Sequence, residues 1–167
     1  MDENFKSRLR KVKSFFFDMD GVMTDGSLLV MPDGELLRSM NIKDGYALKK
    51  AATKGYRVIV ISGSHSKGAT VRLKDLGLTD VYFSVEDKLA IFKECCNRYH
   101  LKKEETLFMG DDMPDLKVME HAGIPACPAD AIHQVKARSI YVSPYGGGKG
   151  CVRDIIEQVM TAQGQWD

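Results

Sequence analysis

The carboxylates best placed to do chemistry occur in two clusters, and each cluster follows a short apolar run. Asp18-Met19-Asp20 comes directly after Phe15-Phe16-Phe17, and Gly110-Asp111-Asp112-Met113-Pro114-Asp115 comes directly after Thr106-Leu107-Phe108-Met109. Continuous apolar runs are typical of buried parallel strands, and ligands bind beyond the carboxyl ends of such strands. The two clusters are therefore predicted to face one site.

Carboxylate oxygens are hard ligands, and their pattern here favours Mg²⁺ together with a phosphate. Asp18 and Asp111 are the predicted metal ligands. Asp115 lies four residues after Asp111, which would place both on one helical face. Asp112 and Asp115 are predicted to act on the metal through hydrogen bonds or water. Histidine and cysteine spacing suggests no zinc site.

A phosphate at this site would give Asp18 and Asp20 separate tasks. Once Mg²⁺ neutralises part of the negative charge, Asp18 is predicted to attack phosphorus and form an aspartyl phosphate. Asp20 is predicted to act first as general acid and then as general base. The sequence leaves open how the Asp20 side chain is oriented relative to Asp18. A continuing strand would point both side chains to one face, whereas a tight turn at Gly21 would aim them at opposite sides of the leaving oxygen.

Two further segments supply smaller polar groups. Arg57-Val58-Ile59-Val60-Ile61 predicts a strand that ends in Ser62 and Gly63. Ser62 is predicted to donate to a phosphoryl oxygen, while Gly63 lets the backbone approach the phosphate. Lys88, at the start of a predicted helix, would balance the charge of the nucleophile and the phosphoryl group. Alone, Ser62 would be a loop hydroxyl and Lys88 a solvated lysine; their order and placement favour function.

Helix and strand patterns alternate along the chain, without a repeat or linker that would divide it. The alternation predicts a single α/β domain over residues 1–167, a Rossmann-like three-layer fold with a central parallel sheet. Residues 27–31 and 35–40 flank a proline-initiated turn, which predicts a small β-hairpin at about 27–40, inserted after the first strand. The run Gly146-Gly147-Gly148-Lys149-Gly150 is either a flexible connector or an anion-binding loop.

The composition argues against several classes of partner. The 167 residues include 24 lysines and arginines and 23 aspartates and glutamates, and a net charge of +1 gives no case for nucleic acid or an anionic membrane. The apolar run Phe15 to Phe17 is too short for a signal sequence or a membrane span. The four cysteines lack CxxC spacing and are expected to be reduced and mostly buried. A cytoplasmic location is expected.

These motifs, in this order, resemble those of the haloacid dehalogenase superfamily of aspartate-nucleophile phosphatases. Asp18-Met19-Asp20-Gly21-Val22-Met23-Thr24-Asp25, Ser62, Lys88 and the segment from Gly110 to Asp115 match its four motifs, and the resemblance covers nearly the whole chain. It implies that Asp18 is both nucleophile and metal ligand. It also implies that Asp20 provides a backbone carbonyl to the metal and acts as acid and base.

Within this superfamily the chain is more similar to small members without a large cap domain, the phosphatases of 3-deoxy-D-manno-octulosonate 8-phosphate (KDO 8-phosphate). They share the short hairpin, a segment like Asn41-Ile42-Lys43-Asp44-Gly45 and a glycine-rich run before the last helix. The resemblance implies Mg²⁺-dependent hydrolysis of KDO 8-phosphate, a step toward lipopolysaccharide. It further implies a homotetramer in which neighbouring subunits complete each active site.

One departure from the family pattern concerns the substrate. Many of these enzymes have arginine directly after the glycine of the second motif, and a relative acting on KDN 9-phosphate has glutamate there; this chain has Ser64, followed by His65. Arg72 matches an arginine that the family directs from a neighbouring subunit at the sugar carboxylate, a task suited to bidentate pairing. From this chain alone, Arg72 reads as a surface charge. KDN 9-phosphate or another sugar phosphate is the alternative substrate.

Two functions of other classes use similar residues. A receiver-type phosphoacceptor module also has carboxylates, a hydroxyl and a lysine at strand ends, but its acidic pair comes first and its phosphorylated aspartate comes near the middle. Here Asp18 and Asp20 come first, and the acidic cluster from Asp111 comes late. The other alternative is a degenerate phosphatase domain retained as an assembly module. The intact set of acidic residues argues against it.

Overall fold

A central sheet organises the protein, whose computed structural model describes residues 3–167. The strands are β1 (Ser14–Phe17), β2 (Leu29–Val30), β3 (Leu36–Leu37), β4 (Arg57–Ile61), β5 (Asp80–Tyr82), β6 (Thr106–Met109), β7 (Ile124–Cys127) and β8 (Tyr141–Val142). The helices are α1 (Glu3–Leu9), α2 (Ile42–Thr53), α3 (Lys67–Asp75), α4 (Lys88–Arg98), α5 (Leu116–Met119), α6 (His133–Arg138) and α7 (Cys151–Ala162). Short 3₁₀ turns cover Lys103–Glu105 and Met113–Asp115.

Six strands form one parallel sheet in the order β5-β4-β1-β6-β7-β8. β1 lies inside it, with Phe16 opposite Ile59 of β4 and Phe108 of β6. The predicted α/β fold with a central parallel sheet is confirmed. Because the strands are parallel, β1, β4 and β6 all deliver the residues that follow them to one edge.

Side chains of β1 alternate between two apolar cores, which explains why the strand is apolar throughout. Phe15 and Phe17 pack in one core with residues of α1, α2, α3 and α7, while Phe16 packs in the other with residues of α4, α5 and α6. All three phenylalanines are fully buried. Burying a side chain of this size contributes about 1.5–3 kcal/mol. The strand is thus firmly held, and so is the point at which Asp18 emerges.

The hairpin is shorter than the sequence pattern predicts. β2 and β3 pair in antiparallel fashion over two residues each, instead of over 27–31 and 35–40. They form a separate two-stranded sheet with exposed side chains, so no core supports a longer ladder. The turn lies where it was predicted, and Gly34 adopts a φ of +85° there.

Helix α1 was not predicted from the sequence. Phe5 and Leu9, one helical turn apart, are buried in the first core, whereas Lys6 and Arg8 between them are exposed. Two apolar residues in a charged segment are a weak helical signal, and packing against the core supplies what the pattern lacks.

The remaining expectations about the chain as a whole concern thiols and membranes. The four cysteines are free, and Cys95, Cys127 and Cys151 are buried while Cys96 is half-buried, which confirms the predicted mostly buried thiols. Among the helices of residues 3–167, none combines the length and the apolar character needed to cross a bilayer.

Candidate active site

The ends of β1, β4 and β6 open into one cleft of about 740 Å³ at the carboxyl edge of the sheet. The polar side chains that line it come from four separate stretches of chain: Asp18, Asp20, Ser62, Ser64, Glu86, Asp87, Lys88, Asp111, Asp112, Asp115 and Lys117. Gly63 also lines the cleft. The structure therefore brings all four sequence motifs into one place.

Asp18 directly follows β1 and has only 7% of its surface exposed. Its Oδ1 accepts a hydrogen bond from the backbone N–H of Met19 at 2.7 Å and lies 2.9 Å from Lys88 Nζ. Burial and, to a lesser extent, the charge of Asp115 together raise the pKa of Asp18 to about 6, because Lys88 opposes the rise only in part. A cation beside Asp18 would lower this pKa again and so favour the ionised carboxylate that a nucleophile requires.

Lys88 supplies a positive charge next to Asp18. It is the first residue of α4, where the Asp87 carboxylate accepts a capping hydrogen bond from Ala90 N at 3.1 Å. Lys88 Nζ contacts Asp18 at 2.9 Å and Asp115 at 2.7 Å. Burial acts to lower the pKa of Lys88, but the two carboxylates outweigh it and raise the pKa overall. The ammonium therefore stays charged beside Asp18.

Asp115 shapes the loop that follows β6. Its Oδ1 accepts from Lys88, and its Oδ2 accepts from the backbone N–H groups of Asp111 at 2.9 Å and Asp112 at 3.3 Å. A Cβ on Gly110 would lie 2.4 Å from the Cβ of Asp115, so a glycine is required there. Asp115 thus uses both oxygens within the protein and orients Asp111 instead of being free to bind a ligand.

The acidic cluster formed by Asp18, Asp111 and Asp115 could hold a divalent cation. Carboxylate oxygens of Asp18, Asp111 and Asp115 lie within 4.8 Å of one another. Among the described residues, the buried Oδ1 of Asp111 has no hydrogen-bond partner. Burial, together with the charges of Asp18 and Asp115, raises the pKa of Asp111 to about 8. Since Asp115 is already occupied, Asp18 and Asp111 would hold the Mg²⁺, which commonly binds through one or two carboxylates.

Asp112 is placed differently from its acidic neighbours. It is exposed, and its carboxylate accepts from the N–H of Met113 at 2.7 Å, at the start of the 3₁₀ turn. Its predicted contact with the metal through water stays a prediction.

Asp20 lies in a turn beyond the strand, with Gly21 at a φ of +86°. The sequence left open a continuing strand or a tight turn at Gly21, and the structure shows the tight turn. Arg38 donates to both oxygens of Asp20, from Nε at 2.7 Å and Nη2 at 3.1 Å, and Ser64 Oγ donates at 2.7 Å. Burial acts to raise the pKa of Asp20, but the hydrogen bonds from Arg38 and Ser64 outweigh it and hold the pKa below its usual value.

Sequence reasoning did not identify Arg38 as a residue of this site. It lies 18 residues from Asp20, just after β3 of the hairpin, and no motif includes it. The available signal was a lone arginine at the end of an apolar hairpin strand. That signal does not say which carboxylate the arginine meets.

Ser62 and Gly63 follow β4 at the cleft wall. Ser62 is buried, its Oγ lies 3.0 Å from Ser64 Oγ, and the backbone N–H of Ser64 donates to it at 3.3 Å. A Cβ on Gly63 would meet only the Val85 carbonyl, at 3.5 Å, so space alone does not require glycine there. Its predicted contribution to phosphate approach stays a prediction.

The glycine-rich run packs tightly against the loop that carries Asp20. Gly148 N donates to the Val22 carbonyl at 2.9 Å, and Gly147 N donates to Asp130 at 2.9 Å. A Cβ on Gly147 would lie 2.1 Å from the carbonyl oxygen of Gly21. These contacts contradict the flexible-connector interpretation. They also engage backbone N–H groups that an anion-binding loop would need.

Arg72 lies outside the cleft within one chain. It lines a neighbouring groove of about 820 Å³ between the hairpin and the start of α3, together with His65 and Lys67. Its Nη2 lies 2.8 Å from where a Cβ on Gly45 would be, so the glycine in α2 makes room for the guanidinium. A role in a neighbouring subunit's site stays a prediction.

Replacing Gly147 with alanine tests whether the glycine-rich run positions the loop that carries Asp20. The added methyl group would collide with the Gly21 carbonyl and displace the adjacent Asp20. A displacement of about 1 Å costs on the order of a hundredfold in rate, so we expect kcat to fall at least about tenfold. Gly68→Ala is the matched control, because its Cβ enters open space in α3. Wild-type turnover in Gly147→Ala would contradict this interpretation.

Asp111→Asn tests the metal assignment through stability. Folding raises the pKa of Asp111 from 3.8 to about 8, so the folded protein holds a proton that the unfolded chain releases at lower pH. The free energy of unfolding is therefore unaffected below about pH 4 and falls as pH rises toward 8. The unfolding temperature of the metal-free wild-type protein should fall between about pH 4 and pH 8. Asp111→Asn should remove the part of this decline between about pH 6 and pH 8, since below about pH 6 the raised pKa of Asp18 also contributes. It should also abolish the stabilisation by Mg²⁺.

Thermal unfolding in EDTA and in Mg²⁺ across this pH range measures both effects. Asp75→Asn, an exposed carboxylate at the end of α3, is the control and should behave as wild type. Full Mg²⁺ stabilisation of Asp111→Asn would exclude Asp111 as a ligand.

Comparison with known proteins identifies relatives of this chain. The haloacid dehalogenase-like hydrolase family matches residues 31–123. The KDO 8-phosphate phosphatase of Escherichia coli K12 is 32% identical over 161 residues, which cover 96% of this chain and 86% of the relative.

Solved structures give the same result over nearly the full length. The KDO 8-phosphate phosphatase of Yersinia pestis has a TM-score of 0.96 at 30% identity, covering 99% of this chain and 90% of that one. The enzyme of Moraxella catarrhalis, in complex with magnesium, phosphate and KDO, has a TM-score of 0.95 at 26% identity, covering 100% and 96%. The relatives confirm the predicted enzyme class, a phosphoric monoester hydrolase. The chain belongs to the haloacid dehalogenase-like hydrolase family.

Proposed function

We propose that this protein is a Mg²⁺-dependent phosphatase that hydrolyses KDO 8-phosphate to KDO and phosphate. The observation that carries the proposal is the convergence of Asp18, Asp20, Ser62, Lys88 and Asp111 in one cleft. Relatives that act on KDO 8-phosphate, and the structural neighbour that holds magnesium, phosphate and KDO, support the choice of substrate and metal. We also propose a cytoplasmic location, which free thiols favour.

In the proposed first displacement, an oxygen of Asp18 forms a bond to phosphorus while the bond from phosphorus to the sugar oxygen breaks. Bound Mg²⁺ would offset the repulsion between the carboxylate and the phosphate. Asp20 donates its proton to the departing sugar oxygen, so that the sugar leaves as an alcohol. Lys88 stabilises the charge around Asp18, and Ser62 donates to a phosphoryl oxygen.

The second displacement releases phosphate from the aspartyl phosphate on Asp18. Asp20, now ionised, removes a proton from water as the water oxygen bonds to phosphorus. The bond from phosphorus to Asp18 breaks, which returns Asp18 as a carboxylate and Asp20 as an acid. Hydrogen bonds from Arg38 and Ser64 keep Asp20 ionised in the free protein. The proton that Asp20 donates in the first displacement must therefore reach it when the phosphate ester binds, from water or from the monoanion of the ester, since a bound phosphate raises the pKa of a neighbouring carboxyl group.

Assays with a panel of sugar phosphates in Mg²⁺ test the substrate. We expect kcat/KM for KDO 8-phosphate to exceed that for KDN 9-phosphate and for mannose 6-phosphate by at least about tenfold, or about 1.4 kcal/mol of transition-state binding. Equal turnover of the three would contradict KDO 8-phosphate as the specific substrate, but it would still agree with phosphatase activity. Preference for KDN 9-phosphate would favour the alternative. Steady phosphate release from any of them excludes a receiver module or an inactive assembly domain.

We further propose a homotetramer whose neighbouring subunits complete each site. The support within this chain is the apolar exposed hairpin, formed by Leu28, Leu29, Val30, Leu36 and Leu37, of which Leu29 and Val30 are 63% and 67% exposed. Exposed apolar patches of this kind mark protein interfaces. Arg72, outside its own cleft, is the residue proposed to reach a neighbouring sugar carboxylate.

Sedimentation of the double variant Leu29→Ser and Val30→Ser tests this assembly. We expect the variant to dissociate and to lose activity toward KDO 8-phosphate, because the neighbouring Arg72 leaves with its subunit. Ile140→Ser changes an exposed apolar residue next to β8, at the edge of the six-stranded sheet, and is the control. A wild-type protein that is fully active as a monomer would contradict the proposal.

A further inference from the structure

The carboxylate of Asp20 is held by side chains from two separate parts of the chain. Arg38, from the hairpin, contacts Oδ1 and Oδ2 at 2.7 Å and 3.1 Å. Ser64, from the loop after β4, donates to Oδ2 at 2.7 Å. These three donors lie on both oxygens, so they define the plane of the carboxylate as well as its position.

Arg38 is itself fixed at its other end. Its Nη1 donates to the carbonyl of Leu36 at 3.1 Å, within the same hairpin, and its side chain is only 3% exposed. The Asp20 side chain is 31% exposed and faces the cleft. The buried partner is therefore the arginine, and the partner open to substrate is the carboxylate. This is the arrangement expected of a support for a reacting group.

Asp20 needs such a support because of its place in the chain. It lies beyond the last hydrogen-bonded residue of β1, in a turn that passes through a left-handed glycine. A short side chain in a turn has several rotamers, and proton transfer requires the carboxylate within hydrogen-bond reach of the leaving oxygen. A lysine in place of Arg38 would offer one point charge where arginine offers a planar pair of donors.

We propose that Arg38 is a positioning residue that aims the Asp20 carboxylate at the leaving oxygen of the substrate. The hairpin, which no catalytic motif includes, then contributes to the chemistry of its own subunit. The inference rests on the proposed phosphatase function, because it assigns Arg38 to the proton-transfer step of that reaction.

Two substrates with different leaving groups distinguish a positioning role of Arg38 in proton transfer from a purely structural role. A sugar alcohol must receive a proton as it leaves, whereas p-nitrophenolate leaves readily without one. We expect single-turnover release of the sugar from KDO 8-phosphate to slow at least about tenfold in Arg38→Gln, since misaligned acid catalysis forfeits part of its 10²- to 10⁴-fold contribution. Single-turnover release of p-nitrophenolate from p-nitrophenyl phosphate should change less than about threefold, because Asp20 is not needed in that step.

Arg38→Lys serves as the second variant and should fall between wild type and Arg38→Gln for the sugar phosphate. Arg138→Gln, which removes an arginine from an exposed ion pair with Glu120, is the matched control and should not change either rate. Unfolding temperature and Mg²⁺ binding of each variant, measured alongside, establish that fold and metal site are retained.

Three results would overturn the proposal. Equal slowing of both substrates in Arg38→Gln and Arg38→Lys would assign Arg38 to phosphate binding or to folding. Unchanged sugar release in Arg38→Gln would exclude a part in proton transfer. A wild-type protein that cleaves p-nitrophenyl phosphate but no sugar phosphate would overturn the proposed function and this inference with it. Failure of the proposed function therefore shows in the wild-type protein, whereas failure of the Arg38 inference alone shows only in the variants.

Discussion

The contact of one buried ammonium with two buried carboxylates is the interaction on which the site depends. Lys88 Nζ lies 2.9 Å from Asp18 and 2.7 Å from Asp115, with all three side chains at most 10% exposed. Burying a carboxylate is costly unless a charge partner compensates for the lost hydration. Lys88 compensates two, and Asp111, whose Oδ1 has no hydrogen-bond partner among the described residues, is a third carboxyl group that a divalent cation would keep ionised. The fold thus brings together carboxyl groups that a divalent cation would stabilise in their ionised form.

This concentration of charge requires close backbone approach around it. Gly110 leaves room for Asp115, and a Cβ on Gly21 would lie 1.9 Å from Oδ2 of Asp111. Gly147 admits the last loop of the chain against the first one, where the Gly148 N–H bonds to Val22. Residues far apart in the sequence therefore hold Asp18 and Asp20 in position together. The hairpin adds Arg38 to this set, although its own strands are short and exposed.

The parts of this structure that could be predicted are those set by local pattern. The apolar runs before Asp18 and Asp111 predicted buried strands, because a strand covered on both faces must be apolar at every position. Parallel order then predicted that the acidic clusters would meet. The contact between Arg38 and Asp20 could not be predicted, since it depends on how a marginal two-residue ladder folds back. The packing of Gly147 and the orientation of Arg72 likewise depend on distant segments, about which local pattern carries no information.

Trapping the covalent intermediate tests most directly the claim that Asp18 is the nucleophile of a Mg²⁺-dependent phosphatase. Wild-type protein would be mixed with KDO 8-phosphate and Mg²⁺, quenched in acid within one turnover, digested and analysed by mass spectrometry. The account predicts a phosphoryl group on the peptide that contains Asp18, dependent on Mg²⁺ and absent from Asp18→Asn. Phosphate release by Asp18→Asn at the wild-type rate, or a phosphoryl group on another residue, would contradict it.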